Sequence, residues 1–86
     1  MRDIRWNLLK NDRLKRTRGA SFEDILKGEL IGIKKHPKRK NQNIMLFRYK
    51  RYVWIIPYVL EENGDIFLKT LYPSRKYTKM LKEARL

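Results

Sequence analysis

The nine residues from Tyr52 to Leu60 constrain this chain more than any other segment. They are rich in β-branched and aromatic side chains, which favour an extended backbone, and they are apolar on both alternating faces. Tyr52, Trp54, Ile56 and Tyr58 fall on one face, and Val53, Ile55 and Val59 on the other. A strand with one wet face would alternate apolar with polar, so this run has to lie in the middle of a sheet with cover on both sides. Pro57 brings no N–H to the ladder, and the run therefore predicts a bulge or a local loss of pairing at that point.

The segments around this strand supply its neighbours. Ile44 to Tyr49 reads as one strand and Ile66 to Leu71 as another, with Asn63-Gly64 inside Glu62–Asp65 supplying a tight hairpin turn before the latter. Upstream, Ile4 and Trp6 form a short apolar/polar alternation. Asn7 then suits the cap of a helix that runs through Leu8, Leu9 and Leu14 to a stop at Gly19. Its basic residues, including Arg13 and Lys15, spread around the cylinder, so few positions can face a core. Ser21, with Asp24 at the third helical position, predicts a second, short helix that ends near Gly28.

Leu30, Ile31 and Ile33 suggest a brief extended piece, and the stretch from Lys34 to Asn43 holds no apolar residue and reads as an exposed, strongly basic loop. Pro73 stops the last strand and suits the start of a final helix, where Tyr77, Met80, Leu81 and Ala84 share one face and Arg75, Lys79 and Lys82 the other. The sum is an α+β domain. N-terminal helices and a C-terminal helix pack on a curved antiparallel sheet of three or four strands.

With 86 residues there is one domain, residues 1–86, which buries only about 60–65% of the surface its unfolded chain exposes. Two Trp and five Tyr make it too aromatic for a disordered segment, and the lack of cysteine excludes a disulfide framework or a thiolate zinc site. A reducing, cytoplasmic setting is expected. The longest wholly apolar run is too short to span a bilayer, and Met1 to Arg5 lacks the apolar stretch of a signal peptide. Twenty-two Lys and Arg against nine Asp and Glu give a formal charge of +13, which points to a polyanion, nucleic acid first.

Catalytic motifs of the usual kinds are missing from the sequence. It has no phosphate-cradling glycine loop, and its single histidine leaves no Ser/His/Asp set or His-x-x-x-His pair. The carboxylates are scattered, so no metal or other cofactor is assigned. What cations, aromatics and hydroxyls can support is RNA transesterification, in which the substrate brings its own 2′-hydroxyl nucleophile. The protein then has to stabilise charge at the phosphate, move two protons and stack the splayed bases.

Trp6-Asn7, Lys10-Asn11, Leu14-Lys15, Arg18-Gly19 and Ser21-Phe22-Glu23-Asp24, followed by Pro73-Ser74-Arg75-Lys76 and Thr78-Lys79, resemble in order and spacing the BrnT-type toxins of the RelE-like group. The middle of the chain is similar as well, through His36-Pro37, Asn41-Gln42-Asn43-Ile44, Ile56-Pro57-Tyr58-Val59 and Ile66-Phe67-Leu68-Lys69-Thr70. The resemblance covers nearly the whole chain. It implies a RelE-like fold and a metal-independent endoribonuclease, the toxin of a type II toxin–antitoxin system. Its substrate would be mRNA, free or on the ribosome, and its inhibitor a cognate antitoxin that also binds DNA. Many BrnT-like proteins carry Lys-His-Gly where this chain has Thr17-Arg18-Gly19, so either Arg18 only clamps phosphate or another residue handles the proton.

The residues assigned to catalysis on this reading are Arg18, Arg75, His36 and Ser74. Those assigned to RNA binding are Lys10, Arg16, Lys38, Arg39, Lys40, Arg48, Lys76 and Lys79. Each has a structural alternative. Ser74 suits a helix cap, His36 an exposed turn, and Trp54, with Tyr52 and Tyr58, either a stacking platform or the core, which is the better assignment for Trp54. Two other functions fit the charge: a non-catalytic RNA-binding protein such as a small ribosomal protein, and an interaction protein that holds an acidic partner. The former often carries long unpatterned basic tails, and the latter would show no salt-dependent affinity for RNA.

Overall fold

The computed structural model describes residues 3–36, 38–39 and 42–84. In chain order the elements are β1 (Ile4–Trp6), α1 (Leu8–Arg18), α2 (Phe22–Leu26), β2 (Glu29–Lys35), β3 (Gln42–Tyr49), β4 (Tyr52–Leu60), β5 (Ile66–Leu68), β6 (Tyr72–Ser74) and α3 (Arg75–Lys82). β4 is central, as its two apolar faces require. The sheet runs β1-β5-β4-β3-β2, and β6 also pairs with β4. Every pairing is antiparallel except β1 with β5.

The sheet therefore has six strands rather than three or four. β1 is the short Ile4–Trp6 alternation read from the sequence, whereas β6 contains only three residues, too few for a period-two pattern to register. The strand expected from Ile66 to Leu71 stops at Leu68, and Pro73 lies inside β6, opposite Trp54, instead of ending a strand. β2 and β3 also reach further into the expected loop. Lys34 and Lys35 pair with Ile44 and Asn43, so the connection between the strands shrinks to 36–41. Pro37, Lys40 and Asn41 lie outside the described residues.

Pro57 makes no bulge toward β3, where the register passes unbroken through the pair Ile44–Pro57. The interruption falls on the opposite edge, because a residue's N–H and C=O leave an extended strand on the same side. The Pro57 carbonyl accepts from Lys69 N at 2.8 Å, which places the missing N–H between the end of β5 at Leu68 and the start of β6 at Tyr72. The chain leaves the ladder where β4 has no donor to offer.

α1 and α2 lead from β1 at one edge of the sheet to β2 at the other and cover one face. Asn7 caps α1 by accepting from Lys10 N, and Gly19 ends it with φ +80°, the left-handed conformation glycine adopts without strain. Ser21 and Asp24 form the reciprocal capping box of α2. α1 buries only Asn11 and Leu14, while Leu8 and Leu9 are 74% and 77% exposed. Buried Asn11 ties the helices together by accepting from Phe22 N at 2.8 Å and donating to Glu23.

β4 divides the interior. Trp54, Ile56 and Tyr58 join Leu14, Phe22, Ile25 and Leu68 under α1 and α2, whereas Val53 and Ile55 meet Ile44 and Leu46 under α3. Tyr77 and Leu81 pack there as expected. Ala84 does not, since α3 ends at Lys82 and Ala84 is exposed with φ +55°. The residue that α3 buries is Thr78, whose hydroxyl donates to Ser74 O and accepts from Val53 N at 2.9 Å. A threonine that spends both hydrogen-bonding capacities on backbone carries no apolar signal in the sequence.

Candidate nucleic-acid interface

β3 and β4 are joined by two residues, Lys50 and Arg51, both with positive φ (50° and 67°). This matches the type I′ turn, which follows the twist of two strands and usually takes asparagine and glycine. Two consecutive cations hold it here, at a cost of order 1 kcal/mol each. The pair Tyr49–Tyr52 sits directly behind the turn and fixes its register.

Beside the turn opens a pocket of about 350 Å³. Tyr49, Tyr52 and Trp54 line it with Pro73 and Gly19, and Arg18 and Lys50 supply its charge. Among the described residues no carboxylate lines it. Each cation is held by a ring: Lys50 Nζ lies 5.4 Å over Tyr49, and Arg18 Cζ lies 5.9 Å over Tyr72. Arg18 Nη1 also donates to Leu71 O at 2.5 Å, which fixes the guanidinium beside the start of β6. Elsewhere Arg5, Lys15 and Arg48 are paired with Glu61, Asp24 and Glu29. Cations held by rings keep their charge uncompensated, and that is what an incoming anion meets.

Arg75 follows β6 directly and opens α3, whose first turn contains no acid. β6 is three residues long, about 10 Å, so Arg18 and Arg75 stand at its two ends. Between them, Ser74 is buried and its hydroxyl caps α3 by accepting from Tyr77 N at 3.1 Å. Arg48 pairs with Val53, which in turn pairs with Ser74, so Arg48 lies in the same row across the sheet. Lys76 Nζ lies 5.5 Å over the Tyr77 ring, whose other cationic neighbour is Lys34 at 5.3 Å.

The remaining expected residues stand apart. His36, Lys38 and Arg39 sit where β2 leads into β3, a full β3 length of about 23 Å from the turn. His36 Nδ1 accepts from Lys38 N and Arg39 N at 3.1 and 3.2 Å, an assignment that organises the loop and leaves His36 far from both arginines. Lys40 lies outside the described residues. Lys10 and Arg16 lie on α1, and Arg16 borders a second pocket, of about 400 Å³, shared with Asp12 and Lys15. Lys79 is exposed on α3. Of the three aromatics on one face of β4, Tyr58 is buried in the core, whereas Tyr52 and the exposed remainder of Trp54 line the pocket.

Sequence reasoning missed Tyr49, Lys50 and Pro73. The signal for the first two was present, because strands ending at Tyr49 and beginning at Tyr52 leave only a two-residue turn, which places those tyrosines face to face.

Among the described residues no helix is long and apolar enough to cross a membrane, and no group of three or more acidic or histidine side chains gathers as a metal site. No protein-family model and no curated protein matches the chain. Among solved structures it is similar to the Brucella abortus ribonuclease toxin BrnT, with a TM-score of 0.58 at 10% sequence identity, over 86% of this chain and 97% of that one. At that identity the two share a fold: α+β, three helices on an open, mostly antiparallel sheet.

Proposed function

We propose that the chain is the toxin of a toxin–antitoxin pair and cleaves RNA without a metal. The observation that carries this reading is the placement of Arg18 and Arg75, distant in sequence, at the two ends of β6 on a fold shared with a ribonuclease toxin. In the proposed reaction the 2′-oxygen of RNA attacks the adjacent phosphorus and loses its proton. The bond to the 5′-oxygen breaks and that oxygen takes up a proton, leaving a 2′,3′-cyclic phosphate and a 5′-hydroxyl end. Charge accumulates on the non-bridging oxygens, where a guanidinium can donate two parallel hydrogen bonds. Arg75 fills that role at the N-terminal turn of α3, and Arg18 braces the neighbouring phosphate. Lys76, and Arg48 once it exchanges Glu29 for phosphate, extend the cationic track, and Lys10, Arg16 and Lys79 steer RNA from further out. Ser74 works through its cap, which orients Arg75.

Replacing Arg75 by Lys keeps the charge and removes the fork, so single-turnover cleavage of a model RNA should fall about 100-fold while the melting temperature is unchanged. Affinity for a 2′-deoxy analogue should fall far less, since one phosphate contact among several changes the salt slope by only about one unit. Full cleavage by Arg75→Lys removes Arg75 from the chemistry. Absence of cleavage by the wild-type chain, with salt-dependent RNA binding intact, replaces the ribonuclease by a binding protein. The proposed antitoxin presents carboxylates to the cationic surface and buries roughly 1,600 Å² or more. Expression of the chain alone should slow growth of a permissive host, and co-expression of the antitoxin should restore it.

A further inference from the structure

We propose that the pocket beside the Lys50–Arg51 turn is a subsite for one unpaired nucleobase of the RNA, a purine in preference to a pyrimidine. The inference rests on the ribonuclease reading only in that the ligand is RNA.

Three observations carry it. The first is the lining: aromatic rings and cations with no carboxylate among the described residues, a composition suited to a flat π-system with an anion attached. Tyr49 already has Lys50 over its ring, so Tyr52, half-buried and backed by the main core, provides the platform with Trp54 beside it. A ring held by its own packing loses little entropy when a base stacks on it. The second is the turn itself. The same chain reverses direction at Glu61–Asp65 with Gly64 carrying the positive φ (90°), whereas the turn beside the pocket puts two cations in that region. Strain of that kind is retained where the side chains matter, and here it plants two cations next to the pocket. The third is position. Pro73 lines the pocket and Arg75 lies two residues further on, within about 7 Å between Cα atoms, the scale on which a base is separated from its own phosphate. A base seated against Tyr52 would hold its nucleotide in register with the arginines. Purines offer the larger stacking face and gain more from the platform.

The test uses the whole chain and 2′-O-methyl decamers, which cannot be cleaved: ten uridines, or nine with one central adenosine or abasic residue. Fluorescence anisotropy over a salt series gives affinities. Wild type should bind the adenosine decamer about tenfold more tightly than the abasic one, with uridine between. Tyr52→Phe should keep that ratio and Tyr52→Leu should bring it to one. Lys50→Asn with Arg51→Gly keeps a I′ turn and removes two cations, so the salt slope should fall by about 1.4 while the adenosine-to-abasic ratio persists. Equal wild-type affinity for the adenosine and abasic decamers overturns the proposal without any variant. So does a base preference that survives Tyr52→Leu, or a loss in that variant shared equally by both decamers. Base preference without cleavage would leave the subsite and remove the ribonuclease, and cleavage without base preference would do the reverse.

Discussion

The two faces of the sheet do different jobs. Under α1 and α2 lies a continuous core in which Phe22, Ile25, Ile56, Leu68 and Leu71 are fully or almost fully buried. Under α3 the core shrinks to Ile44, Leu46, Val53 and Ile55, with Tyr77 and Leu81 only partly covered. The pocket aromatics continue the first face, and Arg75 stands on the helix that covers the second. On the proposed reading the RNA site straddles a region where side chains are fixed by the main core and one where the core beneath the helix is smaller. On that reading, changes at the aromatics should trade stability against binding, whereas changes at the exposed cations of α3 should alter function at little cost to the fold.

The largest test of that contrast is Phe22→Ala. It removes a ring with 0% exposure that packs 5.6 Å from Trp6, and should cost about 3–5 kcal/mol in urea unfolding. Thr78→Val comes next. It keeps the volume but strands the buried Val53 N–H, at about 1–3 kcal/mol, and native-state exchange of that amide should accelerate. Leu81→Ala should cost only about 1–2 kcal/mol because its side chain is part-covered, with Lys82→Ala near zero as control. Losses at Leu81 matching those at Phe22 would abolish the distinction between the faces.

The smallest effect is in acid. The Asp24 carboxyl is held down to about 2, from an ordinary 3.8, chiefly by the hydrogen bond from Lys15 and then by the Ser21 backbone N–H. A carboxylate more acidic in the folded state stabilises it fully above the unfolded value, and this contribution fades as pH falls from about 4 toward 2. Asp24→Asn should therefore flatten the acid limb of the melting-temperature profile in that window. The limb should also weaken in high salt, because the pair is partly exposed. α3 has no acid in its first turn to give a comparable limb. An acid limb unchanged in Asp24→Asn would show that this contribution comes from other carboxylates.

The two hairpin turns show how far the sequence could be read. Asn63-Gly64 advertises a two-residue turn, yet the structure spreads the reversal over Glu61–Asp65. Gly64 N donates to Glu61 O, Glu61 N to Asp65 O, and only Gly64 has positive φ. Lys50-Arg51 contains no turn-forming residue type, is marked only by the strand ends on either side, and is the tight turn. Local preference signals that a chain can turn cheaply at a place, but the register of the strands decides how many residues the turn receives. Tyr49 faces Tyr52 because Ile44 to Phe47 must match Trp54 to Pro57 across β3 and β4.

The sequence alone determined what depends on neighbours within a few residues: the Asn7 and Ser21 caps, the Gly19 stop, the central strand with two apolar faces and the start of α3. It also carried the charge that points to a polyanion and the Arg18 and Arg75 candidates. Only the tertiary structure decided that α3 lies on the opposite face from α1 and α2, that His36 stands a strand's length from the arginines, and that Asn11 and Thr78 are buried. It alone gathered Arg18, Lys50, Tyr52 and Pro73 around one pocket. The physical reason is range: capping and side-chain periodicity act over one or two turns of chain. Which distant segments meet is set by the burial of both faces of β4 at once, a condition that no short window of sequence contains.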